Sequence, residues 1–326
     1  METLDEFKKR MKDIRHSFLL GTLRKDLPIS KLAGNRYLSE DLIKLIEKPY
    51  YNEFYKKHIN KKEVSYTIWP RPPRPPSCYF DDIKEPDMTP NIDFPLPKDI
   101  NINMMPVILG GSIFNCLPDN YRHYAPFIWN YCRTKSWIRD EHGNYKQRIG
   151  YLTIQEGWIP IGETQRRTGL HIERPGAIKS GGKWHEVNSK EYGNIAWGYG
   201  CWNENGLPED GIFMASTVNH SCAIYDCLID NPEDVTDKHG GLEHMRHLLG
   251  EPRKLRANEM CWFTDRTPHE SLPIEAPKDN PNATHVYRQF FRLVVGPISV
   301  WYSKHSTPNP KGVLPDAPIS DDDKFE

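Results

Sequence analysis

The chain has 326 residues, 37% hydrophobic and 27% charged, with a formal net charge of -1. That fits one large domain with extensions, or two modest ones, and lacks the strongly basic surplus expected of a nucleic-acid binder. The 28 prolines and 22 glycines exclude a plain helix bundle, and no apolar run approaches the ~20 residues that span a bilayer.

The beginning of the chain reads as helical. Leu4, Phe7, Met11, Ile14 and Phe18 recur at helical steps and form one apolar stripe. The same stretch is charged throughout and has no signal-peptide core, so an intracellular, cytoplasmic protein is expected. The scattered cysteines, with no CxxC pair, fit reduced and mostly buried thiols. A second helix is expected after Ser39, with Glu40 and Asp41 in its first turn.

Residues 69–76, WPRPPRPP, form a polyproline stretch. It reads as a stiff connection, although its PxxP spacing also suits an SH3-type partner. Residues 81–106 continue as an extended arm rich in Pro and Asp. Residues 1–106 are therefore expected to be a helical and proline-rich N-terminal extension, with 1–60 as a surface for a homodimer or another partner.

From 107 the pattern changes to short strands separated by turn residues. Candidates are 107–109, 127–133, 150–155, 157–161, 168–172, 195–199, 211–218, 222–229, 258–264, 268–274 and 285–296, with one helical stretch at 240–249. This spacing predicts a mainly β domain over 107–306, a jelly roll or double-stranded β-helix of cupin-like form. The tail, 307–326, is expected to wrap the surface and fray at its end.

Three segments carry chemistry. In the first, His171 and Glu173 stand two residues apart, so on an extended chain both side chains point to one face. In the second, the turn Arg266-Thr267-Pro268 follows one strand and His269 opens the next. Two imidazoles and a carboxylate form the donor set of non-haem Fe(II) oxygenases and leave positions for a bidentate 2-oxo acid and dioxygen. In the third, Arg288 opens a strongly β sequence. A guanidinium deep in a barrel is costly unless a carboxylate meets it. The distal carboxylate of 2-oxoglutarate would do so with a bidentate pair. Arg292 faces the same way, as a second anion clamp or a substrate contact.

These segments resemble the 2-oxoglutarate/Fe(II)-dependent dioxygenase superfamily over about residues 150–296. His269-Glu270-Ser271-Leu272-Pro273 is similar to the distal-histidine strand of prolyl-hydroxylase-like members. The resemblance implies that His171, Glu173 and His269 bind iron and that Arg288, with Arg292 as the alternative, binds 2-oxoglutarate. It also implies a reaction with dioxygen that yields succinate and an oxidised substrate C–H bond. The chain departs from the family pattern in having Glu where Asp is commoner, and in a longer loop at 275–284.

Other groups receive plainer readings. His239, His244 and His247, among Lys238, Arg246, Arg253 and Lys254, read as a solvated helix rather than a metal site. His185 reads as a turn residue. Trp197, Tyr199 and Trp202 suit either a pocket wall or ordinary packing. The absence of GxSxG, P-loop and GxGxxG motifs removes serine-hydrolase and nucleotide-binding readings. Two alternatives stay open: a cupin-like metal enzyme that does not use 2-oxoglutarate, and a non-catalytic jelly-roll binding or assembly protein. The substrate class, small molecule or protein side chain, stays open as well.

Overall fold

The computed structural model describes residues 3–19, 48–49, 51–53, 55–60, 78–80, 92–132, 137–139, 144–186, 195–202 and 208–326. The chain divides into two compact units, Met1–Asn60 and Lys61–Glu326. The expected helix after Ser39 and the polyproline stretch lie outside the described residues.

In the first unit, helix α1 (Leu4–Leu19) forms where the apolar stripe predicts it, with Asp5 and Glu6 in its first turn. Acidic side chains there complement the free N–H groups of the helix start. Phe7 and Met11 are buried, and the Phe7 ring meets the Tyr51 ring edge-on at 4.8 Å.

The second unit is mainly β, with few and short helices. Its large sheet contains β1 (Cys78–Phe80), β2 (Asn101–Ile108), β3 (Ile149–Pro160), β4 (Gly211–Ser216), β7 (Cys261–Phe263) and β9 (His285–Val295). They lie in the order β1-β7-β4-β9-β3-β2, and every neighbouring pair is antiparallel. A small antiparallel sheet contains β6 (Arg253–Lys254), β5 (Cys222–Ile224) and β8 (His269–Ser271), in the order β6-β5-β8. His171 extends it through a bridge to His269.

Side-chain alternation divides the core. Phe291, Leu293 and Val295 of β9 pack with Leu152, Ile154, Phe213 and Ala215 and with the short helices α2 (Ile113–Cys116) and α3 (Ala125–Tyr131). Phe290 and Val294 face the other way, with Tyr151, Ile212 and Met214, onto Cys222 and Ile224 of the small sheet. A strand covered on both faces needs a near-continuous apolar run, and β9 has one, interrupted by Arg288, Gln289 and Arg292. Arg288 and Arg292 share parity with Phe290, so both lie on the face toward the small sheet.

Several sequence expectations are corrected. Residues 127–133 read as a strand from their aromatics, yet Ala125–Tyr131 is a helix with Pro126 in its first turn, where proline's fixed φ and missing N–H do no harm. Residues 168–172 and 195–199 hold isolated bridges at His171 and Trp197 rather than strands. The arm expected over 81–106 gives way at Asn101 to β2, an edge strand of the large sheet. Its register shifts between Ile102 and Met105, and Met104 takes φ 49°. This bulge turns Met104 to the small-sheet side while Met105 stays on the helical side, a common use of bulges beside functional sites.

The tail folds back onto the β unit. β11 (Ile319–Ser320) pairs in parallel with β10 (Trp301–Tyr302), and Lys324 and Phe325 beyond it line a cavity. The described cysteines 116, 132, 201, 222, 227 and 261 are free thiols, and all but Cys201 are buried. Among the described residues no helix is long and apolar enough to cross a membrane.

Candidate metal centre

His171 and His269 face each other across the bridge at the edge of the small sheet. Each backbone N–H donates to the other residue's carbonyl, at 3.0 and 2.9 Å. This reciprocal pairing brings the two rings to 4.6 Å between centroids. The loop holding Gly240 flanks the other side of the segment. Ile172 N–H donates to Gly240 O at 3.0 Å, and Gly240 has φ 83°. A Cβ there would come within 2.4 Å of the Ile172 carbonyl, so only glycine allows this approach.

Glu173, two residues after His171, brings its carboxylate to the same face. Its Oε1 lies 3.7 Å from His269 Nε2. One ligand atom from each of His171, Glu173 and His269 falls within 4.8 Å of the others, the one such cluster among the described residues. The imidazoles are oriented by the backbone: His171 Nδ1 sits 2.7 Å from Gly169 O and His269 Nδ1 sits 2.9 Å from Thr267 O. A carbonyl accepts only from N–H, so each Nδ1 carries a proton, which leaves Nε2 as the ring atom able to bind a metal ion. Histidines that bind metal are oriented by this second bond.

Burial, and next the neighbouring His269, push the His171 pKa down to about 3, so its ring is neutral. Burial raises the pKa of Glu173, but Arg292 and the two histidines outweigh it and hold the carboxyl well below the usual range. His171 and Glu173 are thus deprotonated at neutral pH, as metal binding requires. Arg292 Nη1 donates to Glu173 Oε1, and its Nη2 reaches Met104 Sδ at 3.5 Å.

Arg288 is 1% exposed. Its Nε donates to Ser216 Oγ at 3.0 Å, and its Nη1 and Nη2 donate to Gln165 Oε1 at 3.2 Å and Ser221 Oγ at 3.1 Å. Its Nη2 also lies 3.6 Å from Cys222 Sγ. The hydroxyls and the amide among these partners carry no charge, and burial lowers the pKa of the guanidinium. Among the described residues Arg288 has no acid partner.

A cavity of about 300 Å³ opens beside His171 and Glu173. Arg292 and Gln165 line it, and Arg288 stands behind Gln165. The wall also includes Arg166, Arg167, Lys238 and Lys324, none of which the sequence reading assigned to the site. Arg166 and Arg167 precede His171 in a stretch without helix or strand. Lys324 belongs to the tail, whose composition carries no sign of where it folds back. Lys238, read with a solvated helix, lies in the loop before Gly240.

Of the undecided aromatics, Trp197 lines the cavity. Trp202 packs edge-on against Trp262 at 5.4 Å, and Tyr199 is 45% exposed. His185 Nε2 lies 3.0 Å from Ser180 O inside a hairpin. His239 lines the cavity but joins no metal cluster among the described residues.

The described chain is therefore a mainly β protein whose two sheets converge on a His-Glu-His group able to hold a metal ion. No family model and no curated protein matches it. Solved structures of HygX from Streptomyces hygroscopicus overlap it in part. The form with iron bound is 11% identical, covers 62% of this chain and 74% of its own, and has a TM-score of 0.27. The form with nickel and 2-oxoglutarate bound is 10% identical, with coverages of 54% and 64% and a TM-score of 0.25. The form with nickel, 2-oxoglutarate and hygromycin B bound is 8% identical, with coverages of 66% and 77% and a TM-score of 0.28.

Proposed function

We propose that this chain is a non-haem Fe(II) oxygenase that uses 2-oxoglutarate, built on a double-stranded β-helix. The observation that carries the reading is the His171–Glu173–His269 cluster, with both Nδ1 atoms tied to carbonyls and both Nε2 atoms left to bind. Strand order supports the fold assignment. In chain order, β3, β4, β7 and β9 belong to the large sheet. His171, β5, β6 and β8 fall between them on the small one, as in a jelly roll.

The donor set, two imidazoles and a carboxylate, suits Fe(II) better than a closed structural zinc site. When bound, the iron and 2-oxoglutarate together supply the oxidising power of dioxygen for attack on a substrate C–H bond, with succinate and carbon dioxide as co-products. The chain's residues supply position and charge. His171 and His269 present Nε2 atoms, and Arg292 holds the Glu173 carboxylate in a fixed orientation. Arg288, fully buried and without an acid partner among the described residues, supplies a charge that a carboxylate would complement. To meet it, the carboxylate would displace Gln165.

Iron-loaded chain under nitrogen should develop a visible metal-to-ligand charge-transfer band on adding 2-oxoglutarate. His171→Ala should lose the metal, and Arg288→Ala should bind 2-oxoglutarate more weakly. No band, together with unchanged 2-oxoglutarate affinity in Arg288→Ala, would favour a cupin-like metal enzyme instead. The position of Arg288 behind the cavity wall lends that second reading its support. Undiminished metal binding by His171→Ala would rule out both.

A further inference from the structure

The cavity beside the metal group holds more positive charge than the proposed reaction uses. Arg166, Arg167, Lys238, Arg292 and Lys324 line it, and Glu173 is the one acid among its lining residues. Glu173 answers Arg292, and a divalent ion would be balanced by dianionic 2-oxoglutarate. Four cations remain unmatched, and among the described residues none of them forms an ion pair. Arg166 Nη1 donates to the Gln155 side-chain carbonyl at 3.1 Å, and Arg167 Nη1 to His239 O at 2.9 Å. Lys238 Nζ lies over the Trp184 ring at 4.3 Å, and Lys324 Nζ lies 4.9 Å from the Phe325 ring centre.

These cations arrive from three separate parts of the chain, and the tail sorts its charges. Asp321 accepts from Ser303 Oγ at 2.6 Å, Asp322 accepts from Gly182 N–H at 3.1 Å, and Asp323 pairs with His305 at 2.8 Å. The three acids are thus engaged with the scaffold, while Lys324 alone of this run lines the cavity. Gathering like charges around one space is unfavourable unless an anion enters it. Trp184, Trp197, Tyr302 and Phe325 stand between the cations and offer apolar surface. Two ammonium groups and one guanidinium supply three positive charges, which a dianionic phosphate with several acceptor oxygens matches better than a single carboxylate.

We propose that this cavity takes a substrate bearing a phosphate group on a partly apolar body, gripped by Arg167, Lys238 and Lys324 beside the metal. This rests on the oxygenase reading for the chemistry done on that substrate, and not for the binding itself.

The test is calorimetric titration of inorganic phosphate, at constant ionic strength, into the full chain, both metal-free and loaded with Mn(II) and 2-oxoglutarate without oxygen. Acetate serves as the monoanion control. The expected result is saturable one-site phosphate binding that outcompetes acetate and persists with 2-oxoglutarate present. Lys324→Gln and Arg167→Gln should each weaken it about tenfold, as for loss of one charged hydrogen bond. Unchanged phosphate affinity in the double variant, phosphate no tighter than acetate, or displacement by 2-oxoglutarate would each overturn the proposal. The charge-transfer band separates the two claims: its absence with phosphate binding intact removes the oxygenase reading and keeps the anion site.

Discussion

The guanidinium of Arg292 meets the carboxylate of Glu173 across 119 residues of chain. The pair joins the middle of β9 to the segment of the first metal-binding histidine, and both side chains are largely buried, at 8% and 14% exposure. Removing one partner of a buried pair leaves a bare charge in a poor solvent. Arg292→Leu should therefore cost the metal-free chain about 3–5 kcal/mol of unfolding free energy. A bound divalent ion would take over the guanidinium's role, so Mn(II) should restore most of the loss. Urea unfolding with and without Mn(II) checks this, and equal losses under both conditions would contradict it.

His171 gives the metal-free chain an acid-sensitive point. Its pKa is lowered from 6.5 to about 3, first by burial. The unfolded chain therefore takes up a proton that the folded chain refuses. The stabilisation is complete above about pH 6.5 and is lost as pH falls toward 3, roughly 4–5 kcal/mol in all. His171→Gln should flatten this part of the stability-against-pH curve. Chemical denaturation at half-unit pH intervals provides the measurement, and a variant curve parallel to the parent's would exclude His171 as the source.

Gly240 holds the loop that flanks the first metal segment. Alanine there would face a positive φ and a contact of 2.4 Å with the Ile172 carbonyl. Either the loop or the His171 segment must move. Gly240→Ala should destabilise the chain by about 2 kcal/mol and weaken Mn(II) binding, because His171 shares the displaced backbone. Gly312, also at positive φ but with open space around it, is the control. Gly312→Ala should leave Mn(II) affinity unchanged.

The parts of the site that were legible in the sequence follow local rules. The two-residue step from His171 to Glu173 and the shared parity of Arg288 and Arg292 come from side-chain alternation, and the strand Cys261–Phe263 and its turn before His269 follow turn chemistry. Arg166, Lys238 and Lys324 were not legible as site residues, because loops have no period and the tail's return depends on contacts with residues 303 and 305 and with Gly182. Phe127 and Ile128 misled for the opposite reason. Their strand propensity is real, but their burial against Phe291 and the large sheet is achieved equally well from a helix.

Asp265 is the second group with a pH signature, and of opposite sign. It follows β7 and joins three segments: its N–H donates to Tyr199 O, its carbonyl accepts from Arg174 N–H, and its Oδ2 accepts from Trp197 N–H at 2.9 Å. Its Oδ1 is buried and has no hydrogen-bond partner. Burial is the main cause that raises its pKa from 3.8 to about 6. Because the folded value is the higher one, the favourable contribution is complete below about pH 4 and is lost as pH rises through 6. At neutral pH the ionised carboxylate then costs about 3 kcal/mol. Asp265→Asn keeps an acceptor for Trp197 and removes the charge, while adding a donor that lacks an acceptor. A net gain of about 1–2 kcal/mol is expected at pH 7.5. The advantage should shrink steadily between pH 6 and pH 4 and disappear below that. Thermal unfolding of the two chains over this range measures it, and an advantage that grew on acidification would show that Asp265 is not held above its ordinary pKa.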